Sequence, residues 1–451
     1  MQLSYDNAKR YGAVPIFSDK NKTVLLCKNF LNKDTKNALT KNSHEQVEFV
    51  CDKKYNFAKE FEEYYSMVRL DDELKKDLDV SLVLGAKIFF EHILSISLKL
   101  KSSDIHIYDD SSTCSIKLRI NGQLRTYATI DKQNAGSLIR IIKLNCGLDI
   151  SRTVAPIEGR FTYEDTDCRV SIIPTVYGEK INIRILGNTK DIYDFNDIGM
   201  DNFQIKTVKK YLSKNSGLIL LTGPTGSGKS TTLFAMMHHL NNGEKNIISI
   251  EDPVEYKLSG VTQIQISQNK SIEFENILKF VLRQDPDIIN IGEIRDDITA
   301  KLAVRAANTG HLVLSTMHTG SSVSAISRLM DLSIEPYEIV SSLRLVISQR
   351  LIRVLCPDCK VQYTSNEDIA NLGIKSGEKY YKKSYCTKCY GTGYSEQKAI
   401  FEMLEVTDEV KKLIGENMLN QESVSIKTLR DYLLEMLKKG ETSVEEVYRY
   451  I

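Results

Sequence analysis

The chain has 451 residues, 42% hydrophobic and 26% charged, with Lys+Arg 60 against Asp+Glu 59 and a formal net charge of +1. That length can bury at least two cores, and the balanced charge creates no global field for a polyanion, so nucleic acid is not expected as a partner. No run of about 18 apolar residues is present for a membrane span, and the start MQLSYD lacks the basic and apolar regions of a signal peptide; a cytoplasmic protein, or one that only touches a membrane, is expected.

In chain order, residues 1–75 mix short apolar runs, AVPIF and VLL, with charged stretches and read as a small α/β module without a catalytic signal. In the zone 80–190, Leu84, Ile88, Ile93, Ile96 and Leu100 recur at helical spacing and predict a helix that packs one face. The runs SDIHIYD, SIKLRING, DCRVSIIP and INIRIL then alternate apolar with polar side chains, so this zone reads as an α+β domain. A linker is expected at 191–203, with NDIGMDNF as a polar hinge. From 204 to 355 the strand-like runs GLILLTG, NIISIED, DIINIGE and HLVLST alternate with helical segments, the pattern of an α/β domain with a largely parallel, doubly wound sheet. Residues 356–400 carry paired cysteines, and 401–451 read as a helical C-terminal region.

The run GPTGSGKST fits the phosphate-loop pattern G-x-x-x-x-G-K-[ST], through Gly223, Pro224, Thr225, Gly226, Ser227, Gly228, Lys229, Ser230 and Thr231. A strand precedes it and a helix follows. Glycines let backbone N–H groups wrap a phosphate, Lys229 can reach the β- and γ-phosphates, Ser230 can ligate Mg²⁺, and the helix N-terminus adds partial positive charge. ATP and Mg²⁺ are therefore expected. Two further strands end in acids: Glu251, Asp252 and Glu255 after the first, Glu293 after the second. Gly292 stands where an Asp is usual in this second nucleotide motif, which makes Glu293 the better water-activating base. The alternative, that acids at strand ends cap helices, loses weight with a phosphate loop upstream.

Nine cysteines divide into five single ones (Cys27, Cys51, Cys114, Cys146, Cys168) and two C-x-x-C pairs, Cys356/Cys359 and Cys386/Cys389. Two such turns complete a closed S₄ shell suited to structural Zn²⁺.

The segments GPTGSGKSTT, EDPVEY, LRQDPDIINIGEIRD and AANTGHLVLSTMHT together resemble the secretion ATPase superfamily, the traffic ATPases of type II secretion and type IV pilus assembly (the GspE/PilB group). The likeness extends through SSDIHIYD, RING, RVSIIPTVYGEK and the cysteine pairs to GETSVEEV, nearly all of 80–451. It implies a RecA-like P-loop ATPase domain preceded by a PAS-like α+β domain, and Mg²⁺-dependent ATP hydrolysis by a homo-hexameric ring driving an inner-membrane platform protein, with peripheral membrane association through that partner; pilus assembly is preferred over type II secretion, and a DNA-translocating ATPase and a non-hydrolysing nucleotide-binding scaffold are the remaining alternatives. It implies Glu251 and Asp252 acting on the Mg²⁺ shell and the attacking water, Glu293 as catalytic glutamate, His311 and His318 as nucleotide-sensing histidines, and Arg169 and Arg184 facing the phosphates. Gly320, Ser321 and Asn121 depart from the family pattern, and only AKRYGAVPIF resembles the family's N-terminal domain, so no cyclic di-GMP site is expected.

Overall fold

The structure, a computed structural model, describes residues 8, 10–18, 22–40, 46–51, 57, 82–151, 155–186, 194–266, 274–365, 372–384, 386 and 388–451. Much of the expected N-terminal module and the first residues of the expected linker lie outside these. The chain forms two units: residues 1–187, 355–362 and 382–396 make the first, and 188–354, 363–381 and 397–451 the second.

In the first unit, β1 (Ala13–Ser18), β2 (Lys22–Cys27) and β3 (Gln46–Val50), with α1 (Lys33–Thr40), form a small sheet in which β1 runs antiparallel and β3 parallel to β2. After α2 (Leu82–Lys99) comes a six-stranded sheet: β4 (Asp104–Asp109), β5 (Thr113–Ile120), β6 (Gln123–Asp131), then α3 (Lys132–Asn145), β7 (Ile157–Tyr163), β8 (Thr166–Thr175) and β9 (Gly178–Ile185). Its order is β6-β5-β4-β9-β8-β7, and every neighbouring pair is antiparallel. Alternation decides its faces. Ile105, Ile107, Ile116, Leu118, Val170 and Ile183 are buried in a core shared with Phe89, Phe90 and Ile93 of α2 and Leu138 of α3. The predicted helix is present, but its buried stripe differs. Ile88 is 52% exposed, because Phe89 and Phe90 set the inner face and Ile88 lies about 100° round the helix from Phe89.

The second unit contains α4 (Asn202–Leu212), β10 (Gly217–Thr222), α5 (Lys229–Leu240), β11 (Ile247–Glu251), β12 (Thr262–Gln265), α6 (Phe274–Val281), β13 (Ile288–Ile291), α7 (Asp297–Asn308) and β14 (Leu312–Met317). It continues with α8 (Ser322–Asp331), α9 (Pro336–Ser342) and β15 (Leu343–Leu355). A ribbon of β16 (Val361–Thr364) and β17 (Lys379–Lys382) precedes β18 (Tyr394–Glu405), α10 (Asp408–Gly415), α11 (Leu429–Lys438) and α12 (Val444–Val447). The seven-stranded sheet has order β12-β11-β13-β14-β10-β15-β18, with parallel pairing from β12 through β15. β10, β13 and β14 are buried at every position, as a parallel sheet covered on both faces requires; this is why their sequences are largely apolar, with Thr222, Asn290, Ser315 and Thr316 as buried polar exceptions.

Two expectations change. Within the expected hinge, Phe195 and Met200 are buried in the core that also holds α5, and Asp201 caps α4, so the mostly exposed segment 194–203 is anchored at two side chains. The expected helical region from 401 opens with β18, which adds the sheet's outer strand beside β15. The last turn of the chain is stapled to β15: Tyr450 OH donates to Leu351 O (2.9 Å), Thr442 Oγ1 to Arg353 O (2.9 Å), and Arg353 Nε to the fully buried Glu446 (2.8 Å). Among the described residues no helix is long and apolar enough to cross a membrane.

Candidate nucleotide site and cysteine cluster

The parallel register of β10 with β14 pairs Thr222 with Met317, so the phosphate loop leaves the sheet at the same edge as the loop after β14. β11 and β13 end at that edge too, and deliver Glu251 and Glu293. Gly223, Gly226 and Gly228 have φ of 150°, 75° and 87°. A Cβ on Gly223 would lie 2.5 Å from Gln349 O, and one on Gly228 2.8 Å from Gln349 Nε2, so β15 backs the loop too closely for a side chain. Gly228→Ala, strained both by backbone and by Gln349, is expected to weaken binding of a fluorescent ADP analogue roughly 5- to 30-fold, on the scale of ~1–2 kcal/mol for a left-handed non-glycine residue. Gly226→Ala, which meets nothing within 4 Å, should lose less in the same titration.

Lys229 is nearly buried, and its Nζ donates to Gly223 O (2.7 Å) and Pro224 O (2.9 Å). Burial, the largest influence, pushes its ammonium below the ordinary value; Glu293 raises it, Arg350 lowers it and Glu255 raises it. Ser227 Oγ, inside the loop, and Thr222 Oγ1, at the end of β10, are buried without a hydrogen-bond partner. A phosphate oxygen would satisfy such groups, so the loop fits the expected nucleotide. Ser230 is exposed on the first turn of α5.

Glu251 is held rigidly. Ser249 Oγ (2.7 Å) and Gln263 Nε2 (3.0 Å) donate to its Oε1, and Asn290 Nδ2 donates to Ser249 Oγ (2.8 Å). Glu293, about one-fifth exposed, accepts from Arg295 Nε (2.8 Å) and lies 3.1 Å from His318 Nε2. Arg295 Nη1 also lies 3.8 Å from Asp252 Oδ2, joining the two acidic strand ends. At Gly292 a Cβ would meet Ile250 O at 3.0 Å, a tight approach, and the carboxylate stands one residue later, on Glu293.

His311 is not brought to this edge. It precedes β14 at the opposite end of the strand, beside Gly217, and its Nδ1 sits 3.0 Å from Ala306 O. Arg169 and Arg184 belong to the first unit, where they stand directly opposite each other on β8 and β9, with Arg160 opposite Arg169 on β7. Asp104 meets Arg184 Nε at 3.4 Å and Arg119 Nε at 3.5 Å. Like charges facing across strands disfavour the sheet, and Asp104 offsets part of that repulsion.

Cys356, Cys359, Cys386 and Cys389 converge in the first unit, with all four Sγ atoms within 4.8 Å of one another. The Cys356–Cys386, Cys359–Cys389 and Cys386–Cys389 separations are 3.8, 3.8 and 3.7 Å, matching the edge of about 3.8 Å that Zn–S bonds of 2.3 Å give in a tetrahedron. The donor set therefore fits Zn²⁺. Hydrogen bonds from Cys359 and Cys386 push Cys389 well below the ordinary thiol value, and the Gly393 N–H also donates to its sulfur (3.3 Å). The cluster docks on the β5–β6 hairpin, where Asn121 Nδ2 donates to Tyr394 O (3.2 Å) and Arg125 Nη2 to Gly391 O. Sequence reasoning missed Gln263, Gln349, Arg350 and Glu402. A single glutamate inside the apolar run AIFEML was the available signal for the last.

Residues 85–449 match the type II/IV secretion system protein family. The type IV pilus assembly ATPase PilB of Thermus thermophilus is 36% identical over 99% of this chain and 54% of its own length. The type II secretion system protein E of Klebsiella pneumoniae is 39% identical over 84% of this chain and 78% of its own. The chain thus spans about half the length of the first relative. Among solved structures, the pilus retraction motor PilT with bound ADP superposes with a TM-score of 0.56 at 24% identity, covering 80% of this chain and 96% of that one. The ATPase DotB of Legionella pneumophila does so at 0.60 and 18%, covering 80% and 95%. These two likenesses establish the α/β ATPase fold.

Proposed function

The chain belongs to the type II/IV secretion system protein family, and on that premise we propose that it hydrolyses Mg²⁺·ATP as a homo-hexameric motor for type IV pilus assembly, acting on an inner-membrane platform protein from the cytoplasmic side. The observation that carries the reading is the meeting of Lys229, Glu293 and His318 at one edge of a parallel sheet, with a carboxylate poised beside a phosphate loop. Lys229 binds the β- and γ-phosphates. Glu293 takes the proton of the attacking water, and Glu251, fixed by Ser249 and Gln263, orients that water. His318 contacts Glu293 and reports the nucleotide state. Mg²⁺, when bound through Ser230 and Asp252, supplies charge neutralisation on the phosphates.

Arg169 and Arg184 are assigned to the charge that develops on the transferring phosphoryl group. Arg184→Ala is expected to lower kcat by about 10³-fold, in the range of arginine fingers, while leaving affinity for an ADP analogue within a few-fold. Equal losses in kcat and affinity would remove the arginine from the chemistry.

Alignment of the pilus assembly relative over 99% of this chain supports the pilus reading; the 39% identity to the secretion relative supports type II secretion as the second one. The test is phosphate release by the purified chain with ATP, with and without Mg²⁺, across protein concentrations. Turnover that needs Mg²⁺ and rises as rings assemble is expected. No turnover at any concentration, with or without the platform protein, would overturn the motor. Loss of pili or of secretion on deletion separates the two machines.

A further inference from the structure

The loop 318–321, which carries His318, is held from two sides by groups given no part in the reaction above. On one side Arg350, on β15, donates through Nη2 to Gly320 O and through Nη1 to Gln349 O (2.8 Å). On the other, Glu402 of β18 is 2% exposed. Its Oε1 accepts from Ser322 N (2.8 Å) and Ser322 Oγ (2.6 Å), and its Oε2 accepts from Leu429 N (3.0 Å). Ser322 and Leu429 are the first residues of α8 and α11, so one carboxylate joins the N-termini of two helices.

Neither helix needs Glu402 for its cap. Ser321 closes α8 in a capping box with Ser324, and Thr428 closes α11 in one with Asp431. A carboxylate buried on a strand with Phe401 and Leu404 costs stability unless it is hydrogen-bonded, and three donors with two helix dipoles offset that cost. A leucine would fill the strand more simply. What the carboxylate adds is a fixed start for α8, four residues beyond His318. Glu402 also favours the charged form of Arg350 against the burial that disfavours it, so the two clamps on the loop support each other.

We propose that Glu402 is a positioning residue for the nucleotide site: by anchoring Ser322 it sets the loop 318–321, and through it the 3.1 Å contact between His318 Nε2 and Glu293 Oε1. This rests on the assignment of Glu293 as base.

The test uses the full chain. Glu402→Gln cannot accept from Ser322 and Leu429 together, and should lower kcat about tenfold with ADP-analogue affinity within about twofold. In a His318→Ala background the same change should cost less than about twofold in kcat, the non-additivity of residues acting through one another. Ser322→Ala, which keeps the backbone N–H, should give a smaller loss that is also non-additive with Glu402→Gln. Equal kcat losses in both backgrounds, or affinity falling with kcat, would overturn the proposal. If the wild type shows no turnover, the hydrolysis reading fails by itself, and amide exchange decides on Glu402: faster exchange across 318–324 in Glu402→Gln, with β11 amides unchanged, supports it, and unchanged exchange across 318–324 overturns it.

Discussion

Glu293→Gln should lower kcat for ATP hydrolysis by about 10²–10⁴-fold, the span by which a positioned general base accelerates a proton transfer, or roughly 3–5 kcal/mol of barrier. The substitution is nearly isosteric, and the amide oxygen can still accept from Arg295 Nε, so the local fold should persist. What disappears is the proton acceptor. A carboxylate offers about four lone-pair sites, so the contacts of Glu293 with Arg295 and His318 leave capacity for a water. Glu293 is also the strongest influence favouring the charged form of Lys229, and its neutralisation shifts the lysine further in the direction that burial already drives it. ADP-analogue affinity should therefore fall modestly while phosphate release collapses. Single-turnover phosphate release set against equilibrium binding measures both; a variant that hydrolyses at the wild-type rate would remove Glu293 from the chemistry.

Replacing Cys356 and Cys386 by serine should abolish metal binding and unfold the segments 355–362 and 382–396. The wild type should carry one zinc per chain by elemental analysis. Structural Zn²⁺ contributes on the order of 10–16 kcal/mol to the folding of small sites, whereas the described residues of these segments bury only a short set, Leu355, Cys356, Cys389, Thr392, Gly393 and Tyr394. Loss of the cluster should free the β5–β6 hairpin from Tyr394 O and Gly391 O, so amide exchange should rise across 119–126. The phosphate loop lies in the second unit, and nucleotide affinity should change far less than thermal stability. A double variant that melts like the wild type, or a wild type without metal, would contradict a structural zinc site.

Legibility in the sequence followed locality. The phosphate loop was plain because a strand, three glycines, a lysine and a helix start adjoin along the chain and meet the ligand through their own backbone. The cysteine cluster was plain because each C-x-x-C turn presents two sulfurs by itself, and Zn²⁺ chemistry admits few other uses of the pattern. The α2 stripe was misjudged at Ile88 because periodicity gives a face and not its centre, which the bulk of Phe89 and Phe90 decided. His311 and His318 bracket one apolar run and look equivalent in sequence; a strand six residues long separates them, and only His318 stands at the edge with Glu293.

Sequence by itself determined the class of fold, the phosphate loop, the acids that end β11 and β13 and the two cysteine pairs, since each is written in neighbouring residues and in the period of burial. Tertiary structure alone decided that β18 completes the sheet, that Gln349 and Arg350 back the phosphate loop, and that Glu402 ties α8 to α11. Those contacts join residues far apart in the chain, and their partners are chosen by sheet order and packing, which no local pattern encodes.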